Sequence, residues 1–271
     1  MFLLQLRNEL WKLFGKKRTY IGFGALLLTQ TIMLLLFRFT RWKEQMARML
    51  DGNGYMAEQF ISILTVAVVM LYPLALFLFP LYLTLVGGDL VAKEAEDGTL
   101  RMILSRPISR ARLLMVKWLA GAVFSFILAA SLGLLGMLFA SFWFPWGNMF
   151  VFVPGEMFSM FNASDGLKYY AMAHLFLAVK ACTVMGLAFM FSCLNVKPAA
   201  ATILALSFVF LNVVLQNIPF FSDYKSWFFT YHANAIWFQI FAQPTPWWKI
   251  TESLFVLLGY NLTFIVVGLT L

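Results

Sequence analysis

The densest local chemistry in the sequence lies between Gly87 and Lys117, GGDLVAKEAEDGTLRMILSRPISRARLLMVK. Acids come first (Asp89, Glu94, Glu96, Asp97), bases follow (Arg101, Arg106, Arg110, Arg112), and helix signals stand between them. The stretch Asp89–Asp97 is rich in good helix formers, and Gly98 suits the left-handed position just past a helix end. Thr99 can cap a new short helix, TLRMILS, whose Leu100, Ile103 and Leu104 share one apolar face. Pro107 breaks that helix, and Ser109 can cap the one that follows. A small apolar face ringed by charges of both signs is chemistry for docking a protein. An ordinary charged cytoplasmic loop uses the same residues, and spacing alone leaves both readings open.

Elsewhere the chemistry is sparse. Lys180 falls inside an apolar run, where a lysine must face the bundle interior or water. It either lines a substrate path, with Gln30 and Asn212 as further polar residues of that path, or is satisfied by an internal partner such as Gln30, Asn212 or the His174 region. Met149, Met157, Met160 and Met172 offer thioethers that suit Cu(I), but Phe150, Phe152, Phe158 and Phe161 interleave with them and favour an interfacial apolar segment. His174 and His232 are too isolated for zinc, so no metal site is expected. Cys182 and Cys193 are about 16 Å apart along one helix and cannot bridge. No Ser/His/Asp or paired-carboxylate set lies within a span, and no GxxxxGK[ST] loop occurs, so neither an enzyme nor an ATP site is expected in this chain, which needs no cofactor of its own.

The elements that position these residues are membrane helices. Of 271 residues, 62% are hydrophobic and 12% charged, against about 45–50% and 25% in soluble domains. Six stretches are long enough to span a bilayer: Tyr20–Phe37, Phe60–Val86, Leu113–Phe144, Ala171–Leu194, Ala199–Leu215 and Ser253–Leu271. The second carries Pro73 and Pro80, which predict a kink. The fold class is therefore an all-α polytopic membrane protein, with residues 1–271 forming a single transmembrane domain.

Residues 1–18 form an amphipathic interfacial helix, with Leu3, Leu6, Leu10, Leu13 and Phe14 on one side and Arg7, Glu9, Lys12 and Lys16 on others. A secretory signal is the alternative, but no small-residue cleavage site follows. Residues 87–112 are the long cytoplasmic segment between the second and third spans. Residues 216–251, with Trp227, Trp237, Trp247 and Trp248, form an outer helical lid of interfacial or re-entrant helices, a helix starting near Tyr224 under a Ser222 or Asp223 cap and ending at Pro244. The larger share of Lys and Arg lies on the side holding residues 1–18 and 87–117, which places both termini in the cytoplasm. Basic residues are too scattered for a nucleic-acid face. The absence of a basic cap after the last span suggests a short tail beyond the sequence.

The pattern Asp89…Glu94-Ala-Glu96-Asp-Gly98-Thr99-Leu100…Leu104-Ser-Arg106-Pro107-Ile-Ser109-Arg110 resembles the signature of the ATP-binding-cassette type-2 permeases, a class that exports drugs, peptides and polysaccharides. The span count, the basic N-terminal helix and the long outer segment before the last span agree with it. The resemblance implies that this segment, Arg101 included, is a coupling helix seated against a separate cytosolic ATPase subunit, which would hold the ATP and Mg. It further implies a second permease copy, homodimeric or heterodimeric, in a bacterial inner membrane and in contact with lipid. Two other readings stay open: a mechanical transmitter to a periplasmic partner, and an ion-coupled carrier.

Overall fold

Six helices long and apolar enough to cross a membrane dominate the computed structural model, which describes residues 2–105, 108–153 and 157–271, and of Arg101 and Leu104 only the backbone. Hydrocarbon offers the backbone no hydrogen bonds, so each apolar run must satisfy its own N–H and C=O groups as a helix. The spanning set is α2 (Lys17–Phe39), α5 with α6 (Ile63–Pro73 and Phe79–Glu96, joined end to end), α8 (Arg110–Ser141), α9 (Ala163–Ser192), α10 (Pro198–Asn217) and α12 (Trp247–Thr270). Around them lie α1 (Phe2–Gly15), α3 (Arg41–Gly52), α4 (Ala57–Phe60), α7 (Thr99–Leu104), a hairpin of β1 (Met149–Val153) and β2 (Met157–Phe161), and α11 (Phe229–Phe238). Several spans run beyond their apolar stretch. The fourth opens at Ala163 rather than Ala171, and the sixth at Trp247 rather than Ser253.

Helix α9 is the central post, the most enclosed of the six, and α6, α8, α10, α11 and α12 pack around it. Close approach is allowed by small residues, as in membrane bundles generally. At Gly87 an added Cβ would stand 2.7 Å from both the Ala188 Cβ and the Met185 carbonyl oxygen of α9. Gly87→Ala is expected to destabilise the bundle by about 1–3 kcal/mol through overpacking. Thermal unfolding in detergent measures it, and an unchanged transition would contradict this packing.

The prolines of the second span mark an irregular hydrogen-bond ladder. Pro73 closes α5, five residues of π-helix follow (Leu74–Leu78), and the Phe79 N–H returns to the Leu74 carbonyl. In that register the Ala75 carbonyl would be met by residue 80, and Pro80 has no N–H to give. Lower on the same helix, the Ser192 hydroxyl accepts from the Val91 and Ala92 N–H groups (3.0 and 2.9 Å) and donates to the Gly88 carbonyl at 2.8 Å. A side chain set into the ladder is a standard origin of helix bending.

One expectation about the connections fails, and another connection takes a form the sequence did not specify. Met149–Val153 and Met157–Phe161 pair as antiparallel strands, Met149 opposite Phe161, within the stretch read as an interfacial apolar segment. Phe and Val favour a pleated, half-buried surface, and the Phe150 N–H donates to Thr65 Oγ1 at 2.8 Å, fastening the hairpin to α5. The helix expected near Tyr224 begins at Phe229, after a 3-10 segment (Pro219–Trp227), and ends at Phe238, ahead of Pro244. Ser222 gives its hydroxyl to Asp223 Oδ1 rather than capping a helix.

Candidate functional site

The end of the bundle that carries α1 and α7 holds most of the ionised side chains singled out by the sequence. Helix α6 runs on past its apolar part to Glu96, Gly98 takes φ 72° just beyond it, and α7 starts at once. The glycine is therefore the left-handed residue the turn requires. Ser109 accepts from the Arg112 N–H at 3.4 Å and caps α8 as its spacing predicts. Thr99 does something else: it is already the first residue of α7, and its hydroxyl donates to the Glu94 carbonyl at 3.2 Å, tying α7 back to α6. Arg106 and the expected breaker Pro107 lie outside the described residues, as do the side chains of Arg101 and Leu104.

The remaining residues of the segment divide into two sets. Asp89 and Glu94 point inward. Asp89 Oδ2 receives Arg18 of α2 at 3.2 Å, and Glu94 receives Lys12 of α1 at 3.0 Å and Lys117 of α8 at 2.8 Å. Lys117 also binds Glu9 of α1 at 2.9 Å, and Lys12 binds Glu9 at 2.7 Å. Two acids and two bases thus close a neutral cluster joining α1, α6 and α8. Lys117 is 0% exposed, so its charge is held wholly by these carboxylates. Burial lowers the Lys12 ammonium pKa, but hydrogen bonds and charge from Glu9 and Glu94 outweigh it and hold the group above its usual range. Leu100 packs against the core. Outward stand Glu96, Asp97, Gly98, Met102, Ser105 and Arg110, with Met102 65% exposed. Arg110 donates to the Leu271 carbonyl at 3.0 Å, and Arg112 to Gln5 of α1 at 3.1 Å.

Glu9 and Lys117 belong to this site, and sequence reasoning missed them. Glu9 is buried on the packed side of α1 rather than on a polar face, because two ammonium groups meet it there. The available signal was Lys117 itself, a lysine inside the apolar stretch of the third span that needs a partner.

The second polar centre surrounds Lys180. It is buried, and its Nζ donates to the Ala75 carbonyl at 2.8 Å and to Asn234 Oδ1 of α11 at 2.6 Å, with the Trp237 ring centroid 5.9 Å away. The partners expected from sequence are not the ones found. Gln30 donates to Leu132 O at 3.0 Å and Asn212 to Phe208 O of its own helix at 3.0 Å. His174 meets the Tyr170 carbonyl at 2.9 Å. The structure therefore does not gather Lys180, Gln30 and Asn212 into one constellation. The carbonyl left over by the π-turn and Pro80 is what draws Lys180, a demand invisible to periodicity. His232 is held between Ser253 Oγ and Ser226 O, at 3.0 and 2.8 Å.

Residues 14–270 match a family model described as ABC-2 family transporter protein. No curated protein matches the chain.

Proposed function

This chain belongs to the ABC-2 transporter family, and from that premise we propose that it is the permease subunit of an ATP-driven exporter, its α7 end facing the cytoplasm. A separate ATPase subunit, carrying ATP and Mg, seats on the outward face formed by Glu96, Asp97, Met102 and Arg110. A second permease copy completes the path. One observation carries this reading: α7 hangs between the ends of α6 and α8, presents an exposed methionine among charges, and joins two helices that are ion-paired to each other and to α1. A push on α7 is therefore shared by two spans and the N-terminal helix. The Ser192 hydroxyl, set into the ladder of α6 between Gly88 and Ala92, gives the lower part of that helix a place to turn.

The excess of Lys and Arg at the α7 end supports the cytoplasmic placement of both termini. An ion-coupled carrier is less well supported, since the groups that hold Lys180 are a backbone carbonyl and an amide, with no carboxylate among the described residues bonded to it. A transmitter to an outer partner would use the same lever and differ only in lacking cargo.

Met102→Asp and Glu96→Lys, made separately, test the docking face. Each is expected to reduce ATPase co-purification from detergent about tenfold or more, with membrane insertion and unfolding temperature unchanged. Normal association in both variants would sink this placement of the ATPase.

A further inference from the structure

At the end of the bundle opposite α7, the last turns of α2 and α8 meet α3 and α4 around a cavity of about 830 Å3. Its lining holds two cations, Arg38 and Lys43, two carboxylates, Asp51 and Glu58, and the rings of Trp143 and Phe144. The Arg38 guanidinium lies 5.8 Å from the Phe39 ring centroid and the Lys43 ammonium 6.0 Å from that of Phe144. Among the described residues none of these four charges forms an ion pair. Asp51 Oδ1 accepts from the Ala57 N–H at 3.1 Å, which leaves its second oxygen for another donor. Lys43 and Asp51 stand eight residues apart on α3, about 12 Å along its axis, so the two signs share one cavity without neutralising each other.

The rim of the cavity lies at the bilayer surface. Phe39 is 68% and Trp143 46% exposed, and their rings pack edge to face with centroids 5.8 Å apart. They close the apolar runs of α2 and α8, the level at which aromatic side chains meet lipid headgroups. Along α2, Leu28, Ile32, Leu35 and Phe39 recur at helical spacing and are all exposed. This lipid-facing stripe leads up to the rim.

We propose that the cavity binds the headgroup of a phospholipid bearing a primary ammonium. Its phosphate sits on Arg38 and Lys43, its ammonium on Glu58 and the remaining Asp51 oxygen, and its acyl chain along the α2 stripe. Charge complementarity selects this class. A plain anion would meet as many carboxylates as cations. A quaternary ammonium has no N–H to give to a carboxylate, which can only accept. A soluble phosphate ester would leave the stripe unused. Binding requires only that the chain be embedded in a bilayer, so this site and the export reading stand or fall separately.

The test is native mass spectrometry of the full-length protein extracted from vesicles of equimolar phosphatidylethanolamine, phosphatidylcholine and phosphatidylglycerol with matched chains. The ethanolamine lipid is expected to be retained about fivefold over each of the others, the ratio one net hydrogen bond gives. Glu58→Ala should remove most of that preference while leaving retention of phosphatidylcholine unchanged. Arg38→Gln combined with Lys43→Gln should lower retention of all three lipids. Arg38 and Glu58 are exposed and Lys43 half-buried, so the unfolding temperature should hold in both variants. Equal retention by the unmodified protein would overturn the proposal, as would an excess of phosphatidylglycerol, the mark of a simple anion site. So would a preference undiminished by Glu58→Ala. Displacement of the lipid by an equal concentration of soluble phosphoethanolamine would give the cavity to the free ester and overturn the lipid assignment.

Discussion

Lys117→Met is expected to destabilise the protein by about 3–5 kcal/mol, the range found when one partner of a buried ion pair is removed. The ammonium is fully buried between Glu9 at 2.9 Å and Glu94 at 2.8 Å. Without it the two carboxylates share only Lys12, whose side chain is 46% exposed. Helix α1 should then loosen from α8. The measurements are the thermal unfolding of the detergent-solubilised protein and the alkylation rate of a cysteine placed at Leu13, a buried position of α1. Adding Glu9→Gln and Glu94→Gln to the lysine variant should restore much of the stability, because replacing a whole buried ionic cluster by uncharged groups is often neutral. A methionine variant that unfolds normally and keeps Leu13 shielded would show that the cluster does not hold α1.

Lys180→Met should release the opposite end. The substitution strips the Ala75 carbonyl of its donor and Asn234 of its partner, at about 1–3 kcal/mol for a buried group left unsatisfied. Helix α11 is held to the second span through this lysine, so the segment between Asn217 and Trp247 should open about 5–150 times more often, read as its rate of cutting by added protease. Asn234→Ala should act in the same direction. Asn212→Ala should not, since Asn212 bonds only within its own helix. If Asn212→Ala loosens the segment as much as Lys180→Met does, the clasp is misassigned.

These two sites show unequal legibility in the primary structure. Spans were readable because lipid leaves the backbone one choice and long apolar runs declare it. The turn at Gly98 and the cap at Ser109 were readable because each depends on a residue and its immediate neighbours. What the sequence hid were pairings set by packing between distant elements: Glu9 turning inward on an amphipathic helix, and Lys180 finding a carbonyl freed by a π-turn. Thr99 shows the boundary between the two kinds of information. Its tendency to bond nearby backbone was predictable, yet whether it would cap its own helix or tie back to Glu94 depended on how tightly α7 follows α6. The hairpin was missed because two short strands of Phe, Val and Met look, one strand at a time, like any interfacial apolar stretch.

The bond from Lys117 to Glu9 spans 108 residues of sequence, which orders events during biosynthesis. At about 5–20 residues per second, the ribosome takes roughly 5–20 s to deliver the lysine after the glutamate. Throughout that interval the nascent N-terminal helix lacks its fully buried counter-ion. It settles only when the third transmembrane segment has been inserted with its basic end on the correct side. Misinsertion of that segment leaves Glu9 with Lys12 alone as counter-ion, a marker by which cellular quality control can distinguish a faulty topology from a sound one.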